Sequence, residues 1–296
     1  MKRHNSRPQQ GFGLLIFVIV TAVIAFSLVV GYTGVLTKSQ ANRLQATQSD
    51  YLSEVRTQVM AFYQRKAFAL DQQSMSNPVS VNDLLAGALV RKRFGLQAAL
   101  SDVLSLPDGV RYRRIAVWLP SDTDTDNPPD LSSFTQTGKF VSCTNLGSPC
   151  ADRQMAVFDS IDLERELQKE TQARLRHIAL KAQAYFKART LQDPERNISV
   201  NYFRPLANIC TPRDMELECL DIYTPLSVPA IGGALVPSRT ASTLGLTGAE
   251  LVSAWGLPIE ASNVQDAVTD DTPFTMVFRA ARPSGGYYSI RAIQQL

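Results

Sequence analysis

Four cysteines, a run of alternating aspartates and one histidine far from the N-terminus are the residues whose types and spacing could do chemistry in this chain. Cys143 and Cys150 flank Thr-Asn-Leu-Gly-Ser-Pro, and Cys210 and Cys219 flank Thr-Pro-Arg-Asp-Met-Glu-Leu-Glu, both turn-forming stretches. Two local disulfides are the simplest pairing, but four cysteines admit three connectivities and spacing does not choose among them. A zinc site competes, yet it wants tighter Cys-x-x-Cys spacing or supporting histidines, and beyond His4 there is only His177. Disulfides would place the cysteines in an oxidising compartment, each bridge contributing about 2–3 kcal/mol on the chain-entropy model.

Asp122, Asp124 and Asp126 alternate with threonines as in calcium loops. The sixth and twelfth loop positions, where Gly and Glu are needed, hold Asn127 and Ser133, so a solvated acidic loop is preferred and calcium is the weaker reading. His177 falls on a helical pattern among Arg174, Arg176 and Lys181, a solvated face rather than a catalytic triad. Gly232-Gly233 lacks the lysine of a phosphate-binding loop. No enzyme and no cofactor are expected. The clusters Arg91-Lys-Arg93 and Arg111-Tyr-Arg-Arg114 could touch phosphates, with Tyr112 to stack on a base, but their dispersion argues for ordinary surface charge and against nucleic acid.

The elements that must carry these residues are legible in the apolar spacing. Ser39 to Leu70 contains no Pro or Gly. Leu44, Tyr51, Leu52, Val55, Val59, Phe62, Tyr63 and Phe68 recur at three and four, which predicts an amphipathic helix. A second helix repeats the pattern at a constant offset. Leu175, Ile178, Ala182, Tyr185 and Phe186 stand where Leu52, Val55, Val59, Phe62 and Tyr63 stand in the first. Strands are predicted at Val110–Leu119, Lys139–Cys143, Ile198–Phe203, Pro273–Arg279 and Gly286–Ala292. The expected fold class is α+β: a long N-terminal helix and an antiparallel β head. Two tandem helix-plus-sheet modules are one arrangement, residues 38–152 and 153–296; a single larger head with an inserted helix is the other.

The N-terminus adds a membrane. Lys2, Arg3, His4 and Arg7 crowd the first ten residues, and the next charge after Arg7 is Lys38. From Phe12 the chain is apolar through Val30, meeting the roughly 20 residues a spanning helix needs, so residues 12–37 are expected to cross a bilayer. A cleaved secretory peptide would have a shorter apolar region, of about 7–15 residues. A signal anchor fits the length, and the positive-inside rule leaves the basic end in the cytoplasm. The order of basic leader, Gly11, Phe12 and apolar helix without a polar spacer also resembles the class III signal of type IV pilins and type II secretion pseudopilins.

That resemblance implies cleavage by a prepilin peptidase between Gly11 and Phe12, with residues 1–11 a cytoplasmic leader and Phe12 becoming the N-methylated terminus. It implies as partners the peptidase, other pilins or pseudopilins through the N-terminal helix, and an inner-membrane assembly platform. The protein would start as a single-pass inner-membrane protein with a periplasmic C-terminus, then enter a pilus or pseudopilus serving adhesion or secretion. Family members usually have a glutamate where this chain has Ile16, so the chain resembles the minor members placed at filament tips. Ala254-Trp-Gly-Leu-Pro-Ile-Glu260 resembles a turn before the last strands of many such heads: Gly256 permits a tight turn and Trp255 can anchor it. An unprocessed, signal-anchored periplasmic assembly factor is the alternative. Removing Lys2, Arg3 and Arg7 from the 30 basic residues would equal them to the 27 acidic ones, giving a neutral mature protein.

Overall fold

The computed structural model describes residues 9–71, 80–120, 131–140, 154–204, 220, 223–230, 232–263 and 272–294, with side chains from Ile16 onward except at position 34. The architecture is α+β, a long N-terminal helix followed by antiparallel sheets. The chain divides into two compact units, Met1–Glu54 and Val55–Leu296.

Helix α1 (Gln9–Asp71) begins in the first unit and runs unbroken through Gly31.

In the second unit, the last turns of α1 bury one stripe: Val55, Val59, Tyr63, Ala67 and Leu70, at the predicted spacing. Helix α2 (Val81–Gly87) is capped by Ser80, whose hydroxyl accepts from the Asp83 N–H at 3.1 Å. It ends against α1, with Gly87 so close to Phe62 that an added Cβ would sit 2.4 Å from the ring. Strands β1 (Gln97–Leu100), β2 (Leu104–Ser105), β3 (Arg111–Tyr112) and β4 (Arg114–Trp118) follow, then α3 (Leu131–Thr137) and β5 (Met155–Asp159). β1, β4 and β5 form an antiparallel sheet in the order β1-β4-β5, with Ile115 opposite Leu100 on one side and Phe158 on the other. β5 lies past the expected module boundary at residue 152, yet its partner belongs to the first half.

Helix α4 (Ile161–Gln192) crosses the second sheet, whose order is β11-β10-β9-β6: β6 (Thr224–Pro225), β9 (Glu260–Ser262), β10 (Thr275–Ala281) and β11 (Tyr287–Ile293). Strands β7 (Ser227–Pro229) and β8 (Leu235–Pro237) form a separate hairpin, followed by α5 (Arg239–Thr243). α4 contributes Leu175, Ile178, Ala182 and Phe186 to a core completed by Met276, Phe278 and Ala280 from β10. Those three alternate along the strand, as a sheet with one face packed requires.

Two of the expected strands differ from what forms. Ile198–Phe203 is a series of turns. Asp193 accepts from the Glu195 and Asn197 N–H groups, Asn197 from Ser199 and Asn201 from Phe203. These side chains satisfy the backbone locally and displace the ladder. Tyr202 and Phe203 are still buried against Phe186, the first edge-on and the second tilted, with ring centroids 5.4 and 4.6 Å away. Lys139 and Phe140 likewise follow α3 without strand structure, and the rest of that expected strand lies outside the described residues.

Candidate functional site

The N-terminal part of α1 is apolar on every side. Ile16, Phe17, Val18, Ile19 and Val20 are consecutive and all exposed, Phe17 by 68% and, further along, Phe26 by 70%. A helix that is apolar all round needs either a protein core or lipid. This one is long and apolar enough to cross a membrane. Three of its threonine hydroxyls are satisfied within the helix: Thr21 donates to the Phe17 carbonyl at 2.8 Å, Thr33 to Val29 at 2.9 Å and Thr37 to Thr33 at 3.0 Å. Gly11 and Phe12 fall within α1 as backbone.

The second unusual feature is polar and buried. At the C-terminal end of α1, Tyr63 donates its hydroxyl to Asp71, a fully buried carboxylate. Facing them from α4 is Glu164, 3% exposed, whose Oε2 accepts from the Trp255 indole N–H at 3.0 Å. The remaining carboxyl oxygens, Asp71 Oδ2 and Glu164 Oε1, are buried without a hydrogen-bond partner. The two carboxyls are close enough to act on each other directly. Arg113, also buried, donates through Nε to the Leu70 carbonyl and through Nη1 to the Ser101 carbonyl, both at 2.8 Å. Ser160, capping the start of α4, accepts from the Arg113 N–H at 3.2 Å.

Electrostatics follow from this burial. Desolvation pushes Asp71 up to about 6, against the Tyr63 hydrogen bond, the neighbouring Glu164 carboxyl and the charges of Arg113 and Arg111, which pull it down. Glu164 goes further, up to about 9, through desolvation and then the neighbouring Asp71 charge; the Trp255 bond offsets only part of this. Tyr63 is held well above its ordinary value by burial and by Asp71. Burial and mutual repulsion therefore oppose ionising both carboxyls together, while the Arg113 charge favours the ionised form of Asp71.

Other expected residues fall into ordinary roles or outside view. His177 lies on the exposed face of α4, as expected, with its Nε2 2.9 Å from Glu250 Oε1, which also takes Lys181 Nζ at 2.7 Å. Burial tends to raise Glu250, but the Lys181 bond, the Thr247 N–H and the charges of Lys181 and His177 prevail and hold it below its usual range. Cys143, Cys150, Cys210 and Cys219, and the calcium candidates Asp122, Asp124 and Asp126, lie outside the described residues. Among the described residues no group of three or more His, Cys, Asp or Glu is placed to hold a metal. The turn at 254–260 forms as expected: Gly256 has φ +81°, its N–H bonds Ser253, and Trp255 is buried with its ring parallel to Tyr288 at 6.1 Å.

The carboxyl pair was missed in the sequence, though a signal existed. Glu164 precedes Leu167, Thr171 and Leu175 at the core-facing spacing of α4, a register where a charge has no business unless partnered. Compared with known proteins, the chain matches no family model, and no curated protein or solved structure is significantly similar to it.

Proposed function

We propose that this protein is a minor pilin-like structural subunit, cut between Gly11 and Phe12 by a prepilin peptidase, methylated on Phe12, and added to a type IV pilus or type II secretion-type filament. The observation that carries the reading is the uncovered apolar surface at the start of α1, continuous in one helix with a face that is buried from Tyr51 onward. An apolar helix of this kind sits in a bilayer before assembly and among like helices afterwards, and both environments satisfy the same surface. The basic leader ending at Gly11 supplies the cytoplasmic orientation. Packing, not catalysis, is then the mechanism. Ile16 stands where related subunits place a glutamate to meet a neighbour's terminal amine, which favours a place at the tip, with no subunit above.

Intact mass and N-terminal sequencing of the protein from membranes that contain a prepilin peptidase test this. A chain beginning at methylated Phe12 is expected, and Gly11→Ala should retain Met1. A wild-type chain still beginning at Met1 overturns the proposal in favour of an unprocessed signal-anchored assembly factor, which the same apolar helix also suits.

A further inference from the structure

The buried carboxyls join parts of the chain that are distant in sequence. Asp71 ends α1, Arg113 lies between β3 and β4, Ser160 and Glu164 open α4, and Trp255 comes from the turn before β9. The first two belong to the helix and sheet of the N-terminal half, the others to those of the C-terminal half. Three features show that the contact is built rather than incidental. One oxygen of each carboxyl accepts from a named donor, Tyr63 for Asp71 and Trp255 for Glu164, while Asp71 Oδ2 and Glu164 Oε1 are buried with no partner. Both carboxyls are almost completely withdrawn from water. Two facing carboxylates at such depth repel, whereas a carboxylic acid donates to a carboxylate and removes both the repulsion and the orphaned acceptors.

We propose that Asp71 and Glu164 hold one proton between them and that this shared proton is a latch, fastening the end of α1 to the start of α4 and coming undone when alkaline pH removes it. The charged and titratable groups facing the pair are Tyr63 on α1, Arg111 on β3 and Arg113 beside it, and Tyr288 on β11, which feels the Glu164 charge along with Arg282 and Asp108. The latch does not depend on the filament reading and fails or stands separately from it.

The folded protein therefore keeps a proton that the unfolded chain gives up above the ordinary glutamate range. Stability gained from the bond is fully present in acid and is lost as pH rises towards about 9. Equilibrium unfolding of the full chain in detergent, repeated from pH 7 to 9, reads this directly. With one proton linked, the folding constant should fall about tenfold per pH unit. In Glu164→Gln the amide accepts from Trp255 and donates to Asp71 without titrating, so the fall should vanish. An unchanged fall in Glu164→Gln, or a flat wild type, overturns the proposal. Should the variant not fold, infrared spectra of the wild type decide: a protonated-carboxyl band at pH 7.5 that disappears on titration above pH 9 supports the latch, and its absence at pH 7.5 refutes it. Amide hydrogen exchange localises the effect, which is expected to quicken first at the ends of α1 and α4 that meet.

Discussion

Trp255 makes two contacts of different kinds, a hydrogen bond to Glu164 and a parallel stack on Tyr288, and substitutions can separate them. Trp255→Phe keeps a ring and deletes the donor, leaving a buried carboxyl oxygen without a partner. A loss of about 1–3 kcal/mol is expected in chemical denaturation of the full chain. Two glycines make the same kind of separation possible for backbone and packing. Gly256, at φ +81° with no atom within 4 Å of an added Cβ, resists a side chain only through its left-handed backbone. Gly256→Ala should cost about 1–2 kcal/mol, and no neighbouring substitution should recover it. Gly87 is constrained instead by the Phe62 ring. Gly87→Ala should cost about 1–3 kcal/mol as an overpacked contact, and trimming the ring with Phe62→Leu should recover most of that in a double-mutant cycle.

At the scale of elements, the recurrence between the two long helices extends to burial. Leu52 and Leu175, Val55 and Ile178, Val59 and Ala182, and Tyr63 and Phe186 are all buried, while Phe62 and Tyr185 are both half-buried. The stripe was legible because a helix repeats its environment every three to four residues, so burial is written locally. Strands β10 and β11 were legible for the same reason, through alternation at a period of two, whereas β4 showed as an apolar run buried along almost its whole length. What escaped was written over longer distances or in competing local bonds. Glu164 reads as a surface charge until Asp71 and Trp255 are brought to it, and Ile198–Phe203 alternates like a strand while Asn197 and Asn201 turn it. Short β1 and β9 carry too few residues to show any period. A pair of substitutions on α4 checks the stripe: Ile178→Ala, fully buried, should cost about 2–5 kcal/mol. Leu180→Ala, 61% exposed, should change stability by no more than about 0.5 kcal/mol in the same denaturation series.

For the molecule as a whole, charge and partition are set by different parts of the N-terminus, so the proposed processing can be read without sequencing. The full chain has a formal charge of +3 and an isoelectric point near 8.7. Cleavage after Gly11 takes away Lys2, Arg3 and Arg7 and leaves equal numbers of acidic and basic residues. The focusing position should therefore move towards neutrality. The apolar segment that begins at Phe12 stays with the protein, and the exposed surface from Ile16 to Leu36 has no means of dissolving in water. The processed protein should consequently focus nearer neutrality and still sediment with membranes or filaments. Removal of a secretory peptide would strip the apolar segment as well and release a soluble product, and an unprocessed anchor would sediment while still focusing near 8.7. Only cleavage at the Gly11–Phe12 bond, or immediately beside it, changes the charge and preserves the partition, so isoelectric focusing of the membrane pellet with and without a prepilin peptidase separates the three fates in one gel.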